Sequence, residues 1–511
     1  MKKIAHLLLG RFSIVAVSII LQFFWLVMVM YQFSYQFTYA NLAIRTIAII
    51  VVLVIVNRWT NPANKLSWTF IILLSPVLGL LLYMIFGRSS LTKKTQERMD
   101  SVNREVSACL YQTPEIKEQL EKEDISVYRQ SKYINDWAGF PLYHHTSTNY
   151  YRCGEKMFPD MLAELEKAEH FIFLEYFIID EGTMFDSIVD VLERKSKEGV
   201  DVRLIYDDIG CINTLPPKYY KKLQEKGIKC AAFNPFRPIM SVVMNNRDHR
   251  KIFVVDGKVG FTGGINLADE YINKASRFGY WKDTGIRLEG EAVWSMTVMF
   301  LEMWNYINHS SEDYKQFMPQ VYQSEPFEED GYVQPYGDTP LDHETVGENI
   351  YLNIVNHAEH YVYIFTPYLI IDNEMLVSLC NAAKRGVDVR IVTPGIPDKK
   401  MVYLLTQSHY EPLLKCGVKI YQYTPGFIHA KSFLCDDKIG TVGSINLDYR
   451  SLYLHFECGV FMYKTKALVQ LKQDCMDTFA QSEEMTLEFC KNQNVFIHVF
   501  QGMMRLFAPL L

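Results

Sequence analysis

The sequence predicts an α/β chain made of two copies of one unit, carried behind an apolar N-terminal region. Three observations predict it. The first 90 residues are far more apolar than the rest, a strand–helix–strand–helix–strand order recurs twice, and the pentapeptide GVDVR stands at the same place in each copy (199–203 and 386–390). At 511 residues the chain is long enough for two or three domains, each with its own core.

The apolar region contains three segments: FSIVAVSIILQFFWLVMVMY (12–31), LAIRTIAIIVVLVIVN (42–57) and WTFIILLSPVLGLLLYMIF (68–86). The first and third are long enough to cross a hydrocarbon core. The second is shorter and contains Arg45, so its crossing relies on snorkelling or tilt. A cleaved signal peptide is a poor fit to the first, whose apolar run is too long and is followed by no small-residue cleavage site. Residues 1–90 are thus expected to form an anchor of two or three transmembrane helices in a multi-pass cell-membrane protein. Basic residues give conflicting orientation signals. Lys2, Lys3 and Arg11 favour an inside N-terminus, yet Arg88, Lys93, Lys94 and Arg98 also favour the inside. Three crossings cannot put both clusters on one side; two can.

Beyond the anchor, 91–130 reads as a linker, 131–309 as the first repeat, 310–345 as an acidic, proline-containing linker, and 346–511 as the second repeat with a C-terminal helix. In that last helix Phe496, Val499, Phe500, Met503, Met504 and Phe507 recur at helical spacing. A core-facing helix is the preferred reading, and an interfacial helix lying on a bilayer is the other.

Each repeat opens on a buried-strand pattern, FIFLEYFIIDEG (171–182) or YVYIFTPYLIID (361–372). A helical segment follows, ended by glycine, then a second strand, a second helix end and a third strand. The order argues for two α/β units with mostly parallel central strands.

After the third strand each copy carries the same constellation, HRKIFVVDGKVGFTGGIN (249–266) and HAKSFLCDDKIGTVGSIN (429–446). His249 matches His429, Lys251 matches Lys431, Asp256 matches Asp436, and Asn266 matches Asn446. Residues two apart on a strand share a face, so each histidine and its lysine look into one site. Asp256-Gly257 and Asp436-Asp437 are turn dipeptides, so a hairpin is expected to return the glycines and asparagine beside the histidine. Two such sets supply imidazoles for nucleophilic attack and proton transfer, with ammonium and amide groups to bind a phosphate. Carboxylates are needed to orient each imidazole; Asp283 and Glu457, each downstream of its copy's asparagine, are the candidates. Asp256 and Asp436 are expected at the catalytic site, or as braces of the hairpins.

Other classes are weakened by composition. The net charge of −6 and the absence of a basic-aromatic tract argue against a nucleic-acid partner. The ten cysteines are scattered singly, which favours free thiols over a disulfide framework. No linear His/Cys/carboxylate cluster has metal-ligand spacing, so chemistry without metal or cofactor is expected.

The doubled pattern resembles the phospholipase D superfamily, whose hallmark is a repeated HxK(x)4D(x)6G(G/S)xN motif. Within it, bacterial cardiolipin synthases are the nearest likeness, on NPANKLSWTFIILLSPVLGLLLYMIFGR (61–88), RDHRKIFVVDGKVGFTGGINLADEY (247–271), GFIHAKSFLCDDKIGTVGSINLDYRSL (426–452) and the terminal RLFAPLL. The resemblance implies one bilobal catalytic domain of two phospholipase D-like repeats. It implies membrane-bound transfer of a phosphatidyl group between two phosphatidylglycerol molecules, through a covalent phosphohistidine, giving cardiolipin and glycerol. By position, His249 would attack and His429 would serve as acid and base, with Lys251, Lys431, Asn266 and Asn446 on the phosphate. The repeat makes the two histidines locally equivalent, so residue pattern alone leaves the nucleophile open. A phospholipase D-type hydrolase is the alternative, followed by a membrane-tethered nuclease and a non-enzymatic scaffold.

Overall fold

Alternation within the predicted strands explains how the catalytic region is layered. In the first repeat, Phe173 and Ile205 point into one core, while Ile172, Leu174, Val202 and Leu204 point into another. A strand buried on both faces needs such unbroken apolar runs. The computed structural model describes residues 24, 25, 28, 38–87, 106, 109–235, 246–323, 326–342 and 344–510. Apart from three residues, the first apolar segment, 12–31, lies outside them, as do the basic residues at 2–11 and 88–98.

The chain divides into two compact units, one of residues 1–91, 236–245 and 502–511, the other of 92–235 and 246–501. The larger unit holds two sheets of the same design. The first contains β1 (Thr146–Tyr151), β2 (Phe171–Tyr176), β3 (Asp201–Asp207), β4 (Lys229–Phe233), β6 (Lys251–Val255), β7 (Val259–Gly263) and β9 (Gly285–Gly290), in the order 1-9-7-6-2-3-4. The second contains β10 (Tyr332–Asp338), β11 (Tyr361–Phe365), β13 (Asp388–Pro394), β14 (Lys419–Tyr423), β16 (Ser432–Cys435), β17 (Ile439–Gly443) and β19 (His455–Tyr463), in the order 10-19-17-16-11-13-14. Position by position the orders match, so the repeat seen in the residues is a repeat of topology. An edge strand, β20 (Ser482–Glu484), extends the second sheet beyond β14.

Parallel pairing is confined to three strands in each sheet, β2-β3-β4 and β11-β13-β14. The other pairs within the matching sets are antiparallel, which corrects the expectation of mostly parallel strands. The reason is the tight turn at Asp256-Gly257, whose φ values are +50° and +65°, and its counterpart at Asp436-Asp437, at +51° and +59°. Two successive positive φ values match the right-handed twist of a hairpin and reverse the chain at once.

Both stretches read as linkers carry structure. Helices at Pro114–Glu123 and Ile125–Ala138 bury Leu120, Val127 and Ile134 in the larger core. Within 310–345, β10 is the partner of β19.

In the smaller unit, α1 (Thr38–Val56) has 19 residues, and it is the single helix among the described residues long and apolar enough to cross a membrane. The third apolar segment is not one helix. It is split at Ser75 into α2 (Pro62–Leu74) and α3 (Pro76–Phe86). Pro76 disfavours helical dihedrals at the residue before it, and Ser75 is extended at φ −141°, ψ 85°. Length in sequence therefore misjudged both segments: the one containing Arg45 is the long helix. The C-terminal α4 (Val495–Phe507) also departs from the preferred expectation. It leaves Phe496, Val499 and Met503 exposed and buries Gln501, so it is no ordinary core-facing helix.

Candidate active site

Each motif histidine is held by the other repeat. β5 (Arg247–Asp248) pairs in parallel with the start of β19, and the His249 N–H donates to the Phe456 carbonyl at 2.9 Å. In the mirror-image arrangement, β15 (Gly426–Ile428) pairs with β8 (Tyr280–Lys282), and the His429 N–H donates to the Lys282 carbonyl at 2.7 Å. These short strands deliver each imidazole to a carboxylate one repeat away. Nδ1 of His249 lies 2.8 and 3.0 Å from the two Glu457 oxygens, and Nδ1 of His429 lies 2.6 Å from Oδ2 of Asp283. Both expected carboxylates are at the site, but the pairing is crossed rather than within each copy. A carboxylate at Nδ1 leaves Nε2 of each ring for chemistry.

The G(G/S) step has a different use in each half. A Cβ at Gly264 would fall 2.0 Å from Oδ1 of Asp283, so only glycine lets that carboxylate sit where it does. Ser444, its counterpart, instead donates its hydroxyl to Glu457 at 2.5 Å. Gly263 adopts φ +147° against the Thr284 carbonyl, and a side chain there would clash as well.

Lys251 and Lys431 are buried and each donates Nζ to the carbonyl of its own histidine. Burial lowers Lys251 to about 8 and Lys431 to about 7, with nearby carboxylates opposing the shift in both. Burial also pushes the imidazoles down, aided by the lysine ammoniums: His249 lies well below its ordinary range and His429 at about 4. The site therefore holds neutral imidazoles beside two buried lysines that carry their charge below about pH 7, a charge pattern that an anionic phosphodiester would complete.

The asparagines differ. Oδ1 of Asn266 accepts the Ile178 N–H at 3.0 Å and its Nδ2 donates to the Tyr271 hydroxyl at 2.7 Å. Oδ1 of Asn446 is buried without a hydrogen-bond partner. Asp256 and Asp436, expected among the catalytic residues, are not with the histidines. Asp256 accepts the N–H groups of Glu169, His170 and Phe171 at 2.8–2.9 Å, and Asp436 those of Glu359, His360 and Tyr361 at 2.7–2.9 Å. Four residues lie between each aspartate and its lysine, and the five steps of extended strand span about 16 Å. They brace the turn ends of the hairpins.

Several neighbours carried no signal in the motif. Phe177 meets the His249 ring edge-on at 4.9 Å, and Trp281 and Tyr271 flank His429 at 5.4 and 5.6 Å. A third buried histidine, His455, lies 5.5 Å from His249 between ring centroids. His249, His455 and Glu457 bring ligand atoms within 4.8 Å of one another, as do His144, His145 and Glu329; linear spacing could not reveal either cluster.

A doubled sheet with one histidine, lysine and crossed carboxylate from each half defines a phospholipase D-like enzyme. The profile described as cardiolipin synthase, PLD-like domain, matches residues 161–277 and 351–481, and the phospholipase D-nuclease N-terminal profile matches 46–88. The chain is 34% identical to cardiolipin synthase 1 of Bacillus anthracis over 486 residues, covering 93% of this chain and 94% of that one. It is likewise 34% identical to cardiolipin synthase 1 of Bacillus cereus, covering all of both chains. Among solved structures, phosphatidylserine synthase of Haemophilus influenzae shares the fold with a TM-score of 0.55 at 13% identity, over 76% of this chain and 98% of that one. The chain belongs to the bacterial cardiolipin synthase family of the phospholipase D superfamily, and it is a phosphatidyltransferase.

Proposed function

We propose that this phosphatidyltransferase joins two phosphatidylglycerol molecules, releasing glycerol and forming cardiolipin. The observation that carries the reading is the crossed pair of histidine–carboxylate couples around two buried lysines. The donor phosphate sits against Lys251 and Lys431. Nε2 of His249 attacks phosphorus, a P–N bond forms, and the P–O bond to the head-group glycerol breaks. His429 donates the proton that leaves with glycerol. The glycerol hydroxyl of a second phosphatidylglycerol then gives its proton to His429 and attacks the phosphohistidine, which breaks the P–N bond. No proton or electron is gained or lost over the cycle. Glu457 keeps the proton of His249 on Nδ1, so that Nε2 is the free lone pair, and Asp283 stabilises the imidazolium form of His429. Phosphate binding adds the negative charge that raises His429 toward the range an acid needs.

A lipid substrate requires residence at a bilayer. Helix α1 supplies a span, and the exposed Phe496, Val499 and Met503 of α4 give a second, interfacial contact.

Purified protein given head-group-labelled phosphatidylglycerol in vesicles should release glycerol and cardiolipin in equal amounts. Phosphatidic acid as the main product would mean that water is the acceptor and would refute the synthase reading.

A further inference from the structure

The two halves of the third apolar segment fold back on each other. Gly79 of α3 packs on α2 so closely that a Cβ there would come 2.5 Å from Cα of Ile72, and the Trp68 and Tyr83 rings meet edge-on at 5.2 Å. Ile72 with Gly79 and Trp68 with Tyr83 are each symmetric about the Ser75–Pro76 break, the register of an antiparallel hairpin. With 13 and 11 residues, the two helices are about 20 and 17 Å long. Neither reaches across a hydrocarbon core of about 30 Å. At the open end, Arg58 Nη1 donates to the Tyr83 hydroxyl at 3.0 Å and Lys65 Nζ to the Val56 carbonyl at 3.2 Å. The polar loop after α1 and the end of α3 thus lie at one level, with the apolar turn at the far end.

The outer surface fits lipid rather than water. Leu66, Leu73, Leu74 and Met84 are more than half exposed, and the surface continues that of α1, which exposes Ile50 and Leu53 while packing Ala48 and Ile55 with Trp68, Ile72 and Tyr83. At the turn Pro76 has no N–H, which removes one donor that hydrocarbon would leave unpaired.

We infer that α2 and α3 form a re-entrant hairpin that enters and leaves the bilayer on one face, so that everything after residue 87 lies on the side of the Arg58 loop, and that this side is the cytoplasm. Sidedness follows from the basic residues. With α1 crossing and the hairpin returning, Arg58 falls on the same side as the chain that follows residue 87, whose next basic residues are Arg88, Lys93, Lys94 and Arg98. At the other end of α1, residues 32–41 include no basic residue. One crossing by α1 followed by a re-entrant hairpin puts these basic residues on the inside, as the charge rule requires. The site then draws its lipids from the cytoplasmic leaflet. This inference rests on the membrane-anchored reading above.

The test uses the full chain with its two partly exposed cysteines, Cys109 and Cys416, replaced by serine, the other eight being buried. Single cysteines are placed at Ser34→Cys, Trp59→Cys and Ser90→Cys and treated with a membrane-impermeant maleimide, in intact protoplasts and in inverted vesicles. We expect Trp59→Cys and Ser90→Cys to be labelled in inverted vesicles alone, and Ser34→Cys in protoplasts alone. Labelling of Trp59→Cys and Ser90→Cys from opposite sides would overturn the hairpin. Labelling of both from outside would overturn the cytoplasmic assignment. Release of the protein by alkaline carbonate would instead refute the anchoring on which the inference rests.

Discussion

His249 and His429 stand at equivalent points of one repeat, yet their surroundings have diverged. His249 has a glutamate held by the Ser444 hydroxyl and a second histidine at its side; His429 has an aspartate admitted by Gly264 and a tryptophan at its side. The shared parts, a histidine and a buried lysine from each half, build the site proposed to hold the phosphate. The diverged parts make the halves chemically distinct, as a reaction with one nucleophile and one proton carrier requires.

Replacing either histidine by alanine should reduce transfer by about 10³-fold or more, read as cardiolipin formed per minute. The variants should differ when the donor carries a good leaving group such as p-nitrophenol, which needs no acid. His429→Ala should then still release nitrophenol in a burst, and His249→Ala should not. Equal behaviour would erase the distinction between the half-sites.

The carboxylates come next. Glu457→Gln and Asp283→Asn should each cost about 10²-fold or more, since the amide no longer stabilises the required tautomer or cation. Because the pairs are crossed, Glu457→Gln should suppress the burst and Asp283→Asn should spare it.

At the G(G/S) step the effects should be unequal. Gly264→Ala drives a methyl into Asp283 and should behave like Asp283→Asn. Ser444→Gly removes one hydrogen bond to Glu457, worth about 1 kcal/mol or roughly fivefold in rate.

A pH series gives the smallest and broadest effect. Burial holds Lys431 near 7 and Lys251 near 8, so both lose their charge as pH rises through that window. The free enzyme should bind phosphate less well there, and kcat/KM should fall from about pH 7 upward. His429, pushed down to about 4, is neutral in the free protein through the same window, so the proton it gives to glycerol is taken up with the substrate and steepens the fall of kcat/KM with rising pH.

The histidines and lysines that the fold brings together were legible because they occur twice in register. What pattern could not show was direction across the fold. Asp283 follows Asn266 in the chain but serves His429, since that contact depends on β8 pairing with β15 from the other repeat. Asp256 and Asp436 belong to the motif by spacing, yet a strand carries them to the far end of the hairpin, where three backbone N–H groups occupy each carboxylate. His455 and Trp281 lie outside the motif, and only the paired strands bring them to the histidines. In the anchor, composition marked an apolar stretch, but the dihedral restriction imposed by Pro76 decided that it is a hairpin rather than a span. Exposure of α4 was equally hidden, because an apolar helical stripe is the same whether it faces a core or a bilayer.

The central claim is that one phosphate site, built from both repeats, works through a covalent histidine. The most direct measurement is rapid quench at alkaline pH of His429→Ala mixed with the p-nitrophenyl donor, followed by peptide mapping of the phosphatidyl group. Near-stoichiometric modification of His249, abolished by adding Glu457→Gln, is the expected outcome. Modification at any other residue, or none despite nitrophenol release, would contradict it.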